Sequence, residues 1–204
     1  MQIQIKASAE QKAILFLKNI DDSIKILWFE NEIVDADAYI DLEVENESLA
    51  FQFINNKPVI VNSVITLCKN LPNNYCRINA WNTFLDREKI EASTLNENLK
   101  SVFQKILKAI GFKVFFVTDI VGLISLRAIA MIINEAYFGL MDEISTKQEI
   151  DIAMKLGTNY PYGPFEWGEK IGLKNIEKLL IELAKTDTRY IPCELLLQEA
   201  QTFN

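Results

Sequence analysis

Lys113-Val114-Phe115-Phe116-Val117-Thr118-Asp119-Ile120-Val121-Gly122-Leu123-Ile124 is the stretch where the chain changes character. Lys113 to Thr118 is a short apolar run rich in β-branched and aromatic residues, the composition of a strand. Beyond Asp119 such runs stop. From about Gly122 to Glu143 the apolar residues, among them Ile124, Ile129, Met131, Ile132, Ile133, Tyr137 and Leu140, follow a helical spacing instead. Asp119 is therefore read as the boundary between a domain over 1–118 and a domain over 119–204.

Upstream of the boundary, short alternating or apolar runs are separated by helical stretches. Ile3-Gln4-Ile5-Lys6 alternates as a strand, and Ala9 to Lys18 has helical spacing. Ile24 to Phe29, a run within Asp37–Glu47, Val59 to Asn62, Arg77 to Trp81 and Lys89 to Ala92 complete the strands. Thr94 with Glu97 reads as a capping box, opening a helix that stops at Gly111. Strands alternating with helices imply an α/β layer whose sheet is at least partly parallel. Downstream the expectation is all-α. Ser145 with Gln148 caps a helix ending at Gly157, Pro164 starts another at its first position, and Asn175 to Thr186 is amphipathic.

Composition excludes several functions. All 7 glycines lie at or after Gly111, and the chain has no histidine. A glycine-rich phosphate loop in the first half and imidazole catalysis anywhere are both ruled out. Acidic residues outnumber basic ones by 15 to 12 through position 110 and by 13 to 9 afterwards, for a net charge of −7. A negative surface without a basic patch argues against nucleic acid. Asp119, Arg127 and Glu135 interrupt the most apolar region, so no membrane span is expected. Cys68, Cys76 and Cys193 lack metal-ligand spacing, and Met1 to Lys6 does not read as a signal peptide. The expectation is a cytoplasmic protein with reduced thiols.

Asp119-Ile120-Val121-Gly122-Leu123-Ile124 with Arg127, Asn134-Glu135-Ala136, Ile150 to Gly157 and Tyr160-Pro161-Tyr162-Gly163-Pro164-Phe165-Glu166 resemble the C-terminal domain of the 3-hydroxyacyl-CoA dehydrogenase family. Its pattern is a D-x-x-G-F-I-x-N-R turn, N-E-A, then D-x-A-M-K-L-G-x-x-x-P-x-G-P-F. Three segments of the first half resemble the later part of that family's Rossmann domain: Ala36 to Glu45, Val61 to Leu67, and Asn79 to Glu91. The resemblance implies an α/β N-terminal domain with a truncated Rossmann-like sheet, followed by an all-α C-terminal dimerisation domain. It implies a homodimer through the C-terminal helices and an acyl-CoA-like ligand.

In that family a histidine–glutamate pair removes the 3-hydroxyl proton, NAD takes the hydride, and a serine and an asparagine steady the substrate oxygen. Glu91 matches the glutamate, and the family spacing of twelve leads back to Asn79, whose amide binds a substrate but accepts no proton. Counting from Leu67 puts Ile65 at the serine, with Ser63 and Thr66 beside it. Leu126 replaces the asparagine before Arg127. Ser63, Asn79 and Asn82 are the candidate substrate-pocket residues and Glu91 the candidate catalytic one. The first strand-to-helix turn, Lys6-Ala7-Ser8-Ala9-Glu10, has no glycine, and Glu10 repels phosphate, so no cofactor is expected where the family binds NAD.

Asp41, Glu43, Glu45 and Glu47 alternate as though along one strand face. They read as a solvated edge, against the rival reading of a cation site. Trp81, Phe84, Phe165 and Trp167 read as core rather than as an acyl pocket. The expectation is thus a catalytically degenerate relative of the dehydrogenases. Two rivals stand beside it: an active NAD-dependent 3-hydroxyacyl-CoA dehydrogenase of fatty-acid metabolism with an unconventional site, and a module that pairs with a full-length relative.

Overall fold

Val59-Ile60-Val61-Asn62 is buried along its whole length, as a central strand covered on both faces must be. In the computed structural model, which describes residues 1–45 and 49–202, it is one of seven strands of a single sheet. In chain order the first unit runs β1 (Gln2–Lys6), α1 (Ala9–Phe16), β2 (Lys25–Trp28), β3 (Ala38–Asp41), β4 (Val59–Asn62), β5 (Tyr75–Ile78), β6 (Lys89–Ser93), α2 (Glu97–Ala109) and β7 (Lys113–Phe116). The spatial order is β2-β1-β3-β4-β5-β6-β7. Every pairing is parallel except β5 with β6.

The side-chain period of two sorts the strands' residues onto two faces. Ile3, Ile5, Ile40, Ile60, Cys76, Ile78 and Ile90 pack with Leu15 of α1 and with Phe103, Ile106 and Leu107 of α2. Tyr39, Val59, Val61 and Tyr75 turn the other way, against Phe51 of the β3–β4 connection. Helices thus cover one face, while the packing partner on the other comes from a loop.

The second unit holds α3 (Ser125–Met141), α4 (Lys147–Thr158), α5 (Pro164–Ile171), α6 (Leu173–Ala184) and α7 (Glu194–Thr202). Leu126, Ile129, Ile133 and Tyr137 of α3 are buried, as are Phe165, Trp167 and Ile171 of α5, Ile176, Leu179, Leu180 and Leu183 of α6, and Leu196 of α7. The break between units falls after Leu123. Asp119 stays with the first unit because its carboxylate accepts from Arg77 and from the Cys68 N–H. No helix among the described residues is long and apolar enough to cross a membrane.

Two caps differ from expectation. Thr94 does not cap α2: its Oγ1 donates to Tyr75 O and accepts from Asn96 N. The cap of α4 is Thr146 paired with Glu149, while the Ser145 hydroxyl donates to the same glutamate; that helix ends at the left-handed Asn159, not at Gly157.

Candidate functional site

The antiparallel ladder of β5 and β6 pairs Arg77 with Ser93 and Ile78 with Ala92. Asn79 N–H then donates to Glu91 O, which extends the register and sets Asn79 opposite Glu91. The twelve-residue spacing thus brings the two candidates together on neighbouring strands. Asn79 is 2% exposed. Its Oδ1 accepts a long bond from Trp81 N at 3.4 Å, and its Nδ2 is buried without a hydrogen-bond partner. A neutral amide there donates to an acceptor but takes no proton. Glu91 is half-buried.

Ser63 follows β4 beside Asn79, since Ser63 N donates to Ile78 O. Its hydroxyl, fully buried, donates to Thr66 O at 3.0 Å. That bond ties up the proton a substrate oxygen would need. Asn82 is half-buried in the loop after Trp81. Leu126, where the resemblance puts an asparagine, is fully buried in the helical core.

In open α/β sheets, ligands bind outside the carboxyl ends of the strands, where the strand order reverses. Here β1 has β2 on one side and β3 on the other, so the reversal lies between β1 and β3. A pyrophosphate there needs free N–H groups at the start of α1 and a close backbone approach. Ser8 Oγ accepts from Gln11 N, and Gln11 Oε1 accepts from Ser8 N, so two of those donors already have partners. Gln11 Nε2 reaches across to Leu42 O at 3.1 Å, tying the turn to the end of β3. Ala7 presents a Cβ and Glu10 stands in the first turn. The residues present do not fit a dinucleotide pyrophosphate.

The acidic alternation is not a solvated strand edge. β3 ends at Asp41 and lies inside the sheet. Asp41 is 1% exposed and accepts from Glu43 N and Ala50 N. Glu45 accepts from Val64 N, Ile65 N and the Trp81 indole; burial raises its carboxyl above the ordinary range, while those donors oppose the rise. Glu47 lies outside the described residues. Among the described residues, no group of three histidine, cysteine or acidic side chains could hold a metal.

Arg77, the other charge at this end of the sheet, is completely buried. It donates to Ser63 O, Val64 O, Ile120 O and Asp119 Oδ1, at 2.7–3.2 Å. Gly122 N donates to Val64 O from a backbone with φ +79°, which favours glycine. The D-x-x-G turn is therefore an anchor for the 63–66 turn. Burial pushes the Cys76 thiol up beyond any reactive range and the Cys68 thiol up to about 11.

In the helical unit, Asp151 of α4 accepts from Phe165 N and Glu166 N at 2.8 and 3.1 Å, capping α5. A Cβ added to Gly163 would fall on that carboxyl group, which explains the glycine before Pro164. Asn134 bridges Ile191 O and Cys193 N. Phe165 and Trp167 are core, as are Trp81 and Phe84 in the first unit.

Residues 122–202 match the family model of the 3-hydroxyacyl-CoA dehydrogenase C-terminal domain. The 3-hydroxyadipyl-CoA dehydrogenase of Escherichia coli strain K12 is 45% identical over 92 residues, which is 44% of this chain and 19% of that protein. The 3-hydroxybutyryl-CoA dehydrogenase of Bradyrhizobium diazoefficiens is 32% identical over 97 residues, 47% of this chain and 33% of that one. The chain thus matches no more than about a third of the length of these two relatives. The crystal structure of (S)-3-hydroxybutyryl-CoA dehydrogenase from Ralstonia eutropha superimposes with a TM-score of 0.75 at 17% identity, covering 98% of this chain and 93% of that one. It shares the fold over both units. Over residues 122–202 the chain is thus similar to the C-terminal domain of the 3-hydroxyacyl-CoA dehydrogenases.

Proposed function

We propose that the chain is a divergent 3-hydroxyacyl-CoA dehydrogenase-like protein that no longer transfers hydride and serves as a dimeric assembly or acyl-binding unit. The observation that carries the reading is Asn79 set opposite Glu91. The resemblance puts a histidine base at Asn79, and a carboxylate there has no imidazole to orient. The turn between β1 and α1 supports the same reading. Gln11 and Ser8 take up its donors, so NAD binding in the usual mode is not expected.

Dimerisation would use the helical unit. Ile152 and Leu156, one turn apart on α4, are 45% and 82% exposed, and Ile144 nearby in sequence is 75% exposed. Apolar side chains at that spacing suit a helical partner. The three buried free thiols support a reducing compartment, the cytoplasm. The test is a thermal-shift series with NAD, NADH, free CoA and acetoacetyl-CoA. Binding to the folded state raises Tm by mass action. A flat response to NAD and NADH is expected; a saturable rise with either would contradict the cofactor-free reading.

A further inference from the structure

At the carboxyl end of β4, beside the position where the resemblance puts a serine, three N–H donors converge on Glu45. The N–H groups of Val64 and Ile65, consecutive in the chain, donate to the same oxygen of Glu45 at 2.5 and 2.6 Å. The indole N–H of Trp81 donates to the second oxygen. Consecutive N–H groups converging on one point form an anion-binding hollow. The indole adds a group that can only donate.

The carbonyl side of the same turn is held by cationic and N–H donors. Arg77 donates to Ser63 O and Val64 O, and Gly122 N also donates to Val64 O. The peptide units that end in Val64 N and Ile65 N therefore have their carbonyls tied to Arg77 and their N–H ends aimed at Glu45. Such preorganised dipoles favour negative charge. Glu45 reaches the hollow from 19 residues upstream. Val64 is fully buried and Trp81 5% exposed, so without an acceptor their donors would be left unsatisfied.

We propose that Val64, Ile65 and Trp81 form a carboxylate-binding nest whose resident ligand is the chain's own Glu45, so that a free short carboxylate enters only when Glu45 is withdrawn. Two donors on one oxygen and one on the other select a planar, two-oxygen anion over a spherical one. The nest does not depend on whether hydride chemistry survives. Glu45 acts there as a stopper held in cis.

The test uses the full-length Glu45→Ala variant with 15N-labelled tryptophan, titrated with sodium formate or with sodium chloride at equal ionic strength. The Trp81 indole resonance is assigned with Trp81→Phe. Formate is expected to shift that resonance saturably and to raise Tm, at least ten-fold more effectively than chloride. The unmutated chain should show no shift, because Glu45 holds the site. Equal effects of the two salts, or the same formate response in the unmutated chain, would overturn the proposal. If Glu45→Ala folds only in formate, that rescue supports the proposal as the shift would. If neither salt restores folding, Glu45→Gln decides. Its neutral amide should move the Trp81 resonance towards that of a weaker hydrogen bond, and an unmoved resonance would overturn the nest.

Discussion

Gly163→Ala tests the packing logic of the helical unit at one atom. Gly163 has φ −72° and ψ 164°, which alanine adopts without strain, so the backbone alone predicts stabilisation of about 0.4–1 kcal/mol through the unfolded chain. The side-chain geometry predicts the reverse. The new Cβ would fall on the Asp151 carboxyl, which accepts both Phe165 N and Glu166 N. Displacing that carboxylate weakens two hydrogen bonds to a charged group, worth about 1.5–3 kcal/mol each. Crowding in a buried site adds about 1–3 kcal/mol. Water recovers part of the lost bonding, and the net loss is set at about 3 kcal/mol, or roughly 6–12 °C in Tm for a chain of this size. Urea and thermal unfolding followed by circular dichroism measure it. In an Asp151→Gly background the added methyl meets neither the carboxyl nor the Cβ of residue 151, so the second substitution should cost almost nothing. That gives a coupling of about 2 kcal/mol or more. A loss below about 1 kcal/mol in the single variant, or strict additivity, would refute the reasoning.

Arg77→Met leaves Asp119 without its buried partner and releases the carbonyls of Ser63 and Val64; a loss of about 3–5 kcal/mol in urea unfolding is expected, and a change under 1 kcal/mol would contradict the anchor. The Glu166 carboxyl is held below its ordinary value of 4.5 by Lys155 and then by Gly163 N–H, so this contribution is present above about pH 4.5 and lost as pH falls through the folded value. Lys155→Met should therefore flatten the acid limb of Tm against pH, and an unchanged limb would rule out the pair as its cause. Leu156→Glu should convert the proposed dimer to a monomer in size-exclusion chromatography with light scattering, and a variant whose oligomeric state is unchanged would contradict an interface at Leu156.

Buried parallel strands are short continuous apolar runs, which is why Val59 to Asn62 was readable directly from the sequence. Lys113 to Phe116, an edge strand with Lys113 and Phe115 exposed, was readable from its β-branched and aromatic residues. The alternation after Asp41 misled for a physical reason. The letters keep a period of two, but Asp41 takes the N–H groups of Glu43 and Ala50 and turns the chain out of the sheet. Overlapping cap patterns had the same effect at α4, where Ser145-x-x-Gln148 and Thr146-x-x-Glu149 compete and only the second closes reciprocally. Asn79 was linked to Glu91 only through the spacing of the resembling family; that the two face each other comes from the antiparallel register of β5 and β6, which the sequence reading did not include. The roles of Gln11, Glu45 and Arg77 were not legible. Each depends on a segment 13 to 43 residues away, and no local pattern encodes such a contact. Ser8-x-x-Gln11 does carry the signature of a capping box, the one local clue that the donors of the first turn were already taken.

The central claim is that this fold no longer performs the hydride reaction. Its most direct test is steady-state oxidation of NADH with acetoacetyl-CoA as acceptor, run on the full chain and on Asn79→His in parallel. The account predicts no turnover above the uncatalysed rate for either protein, because restoring a base at position 79 leaves Ser8 and Gln11 closing the turn where the pyrophosphate would sit. Turnover by the unmutated chain that disappears in Glu91→Gln would contradict it.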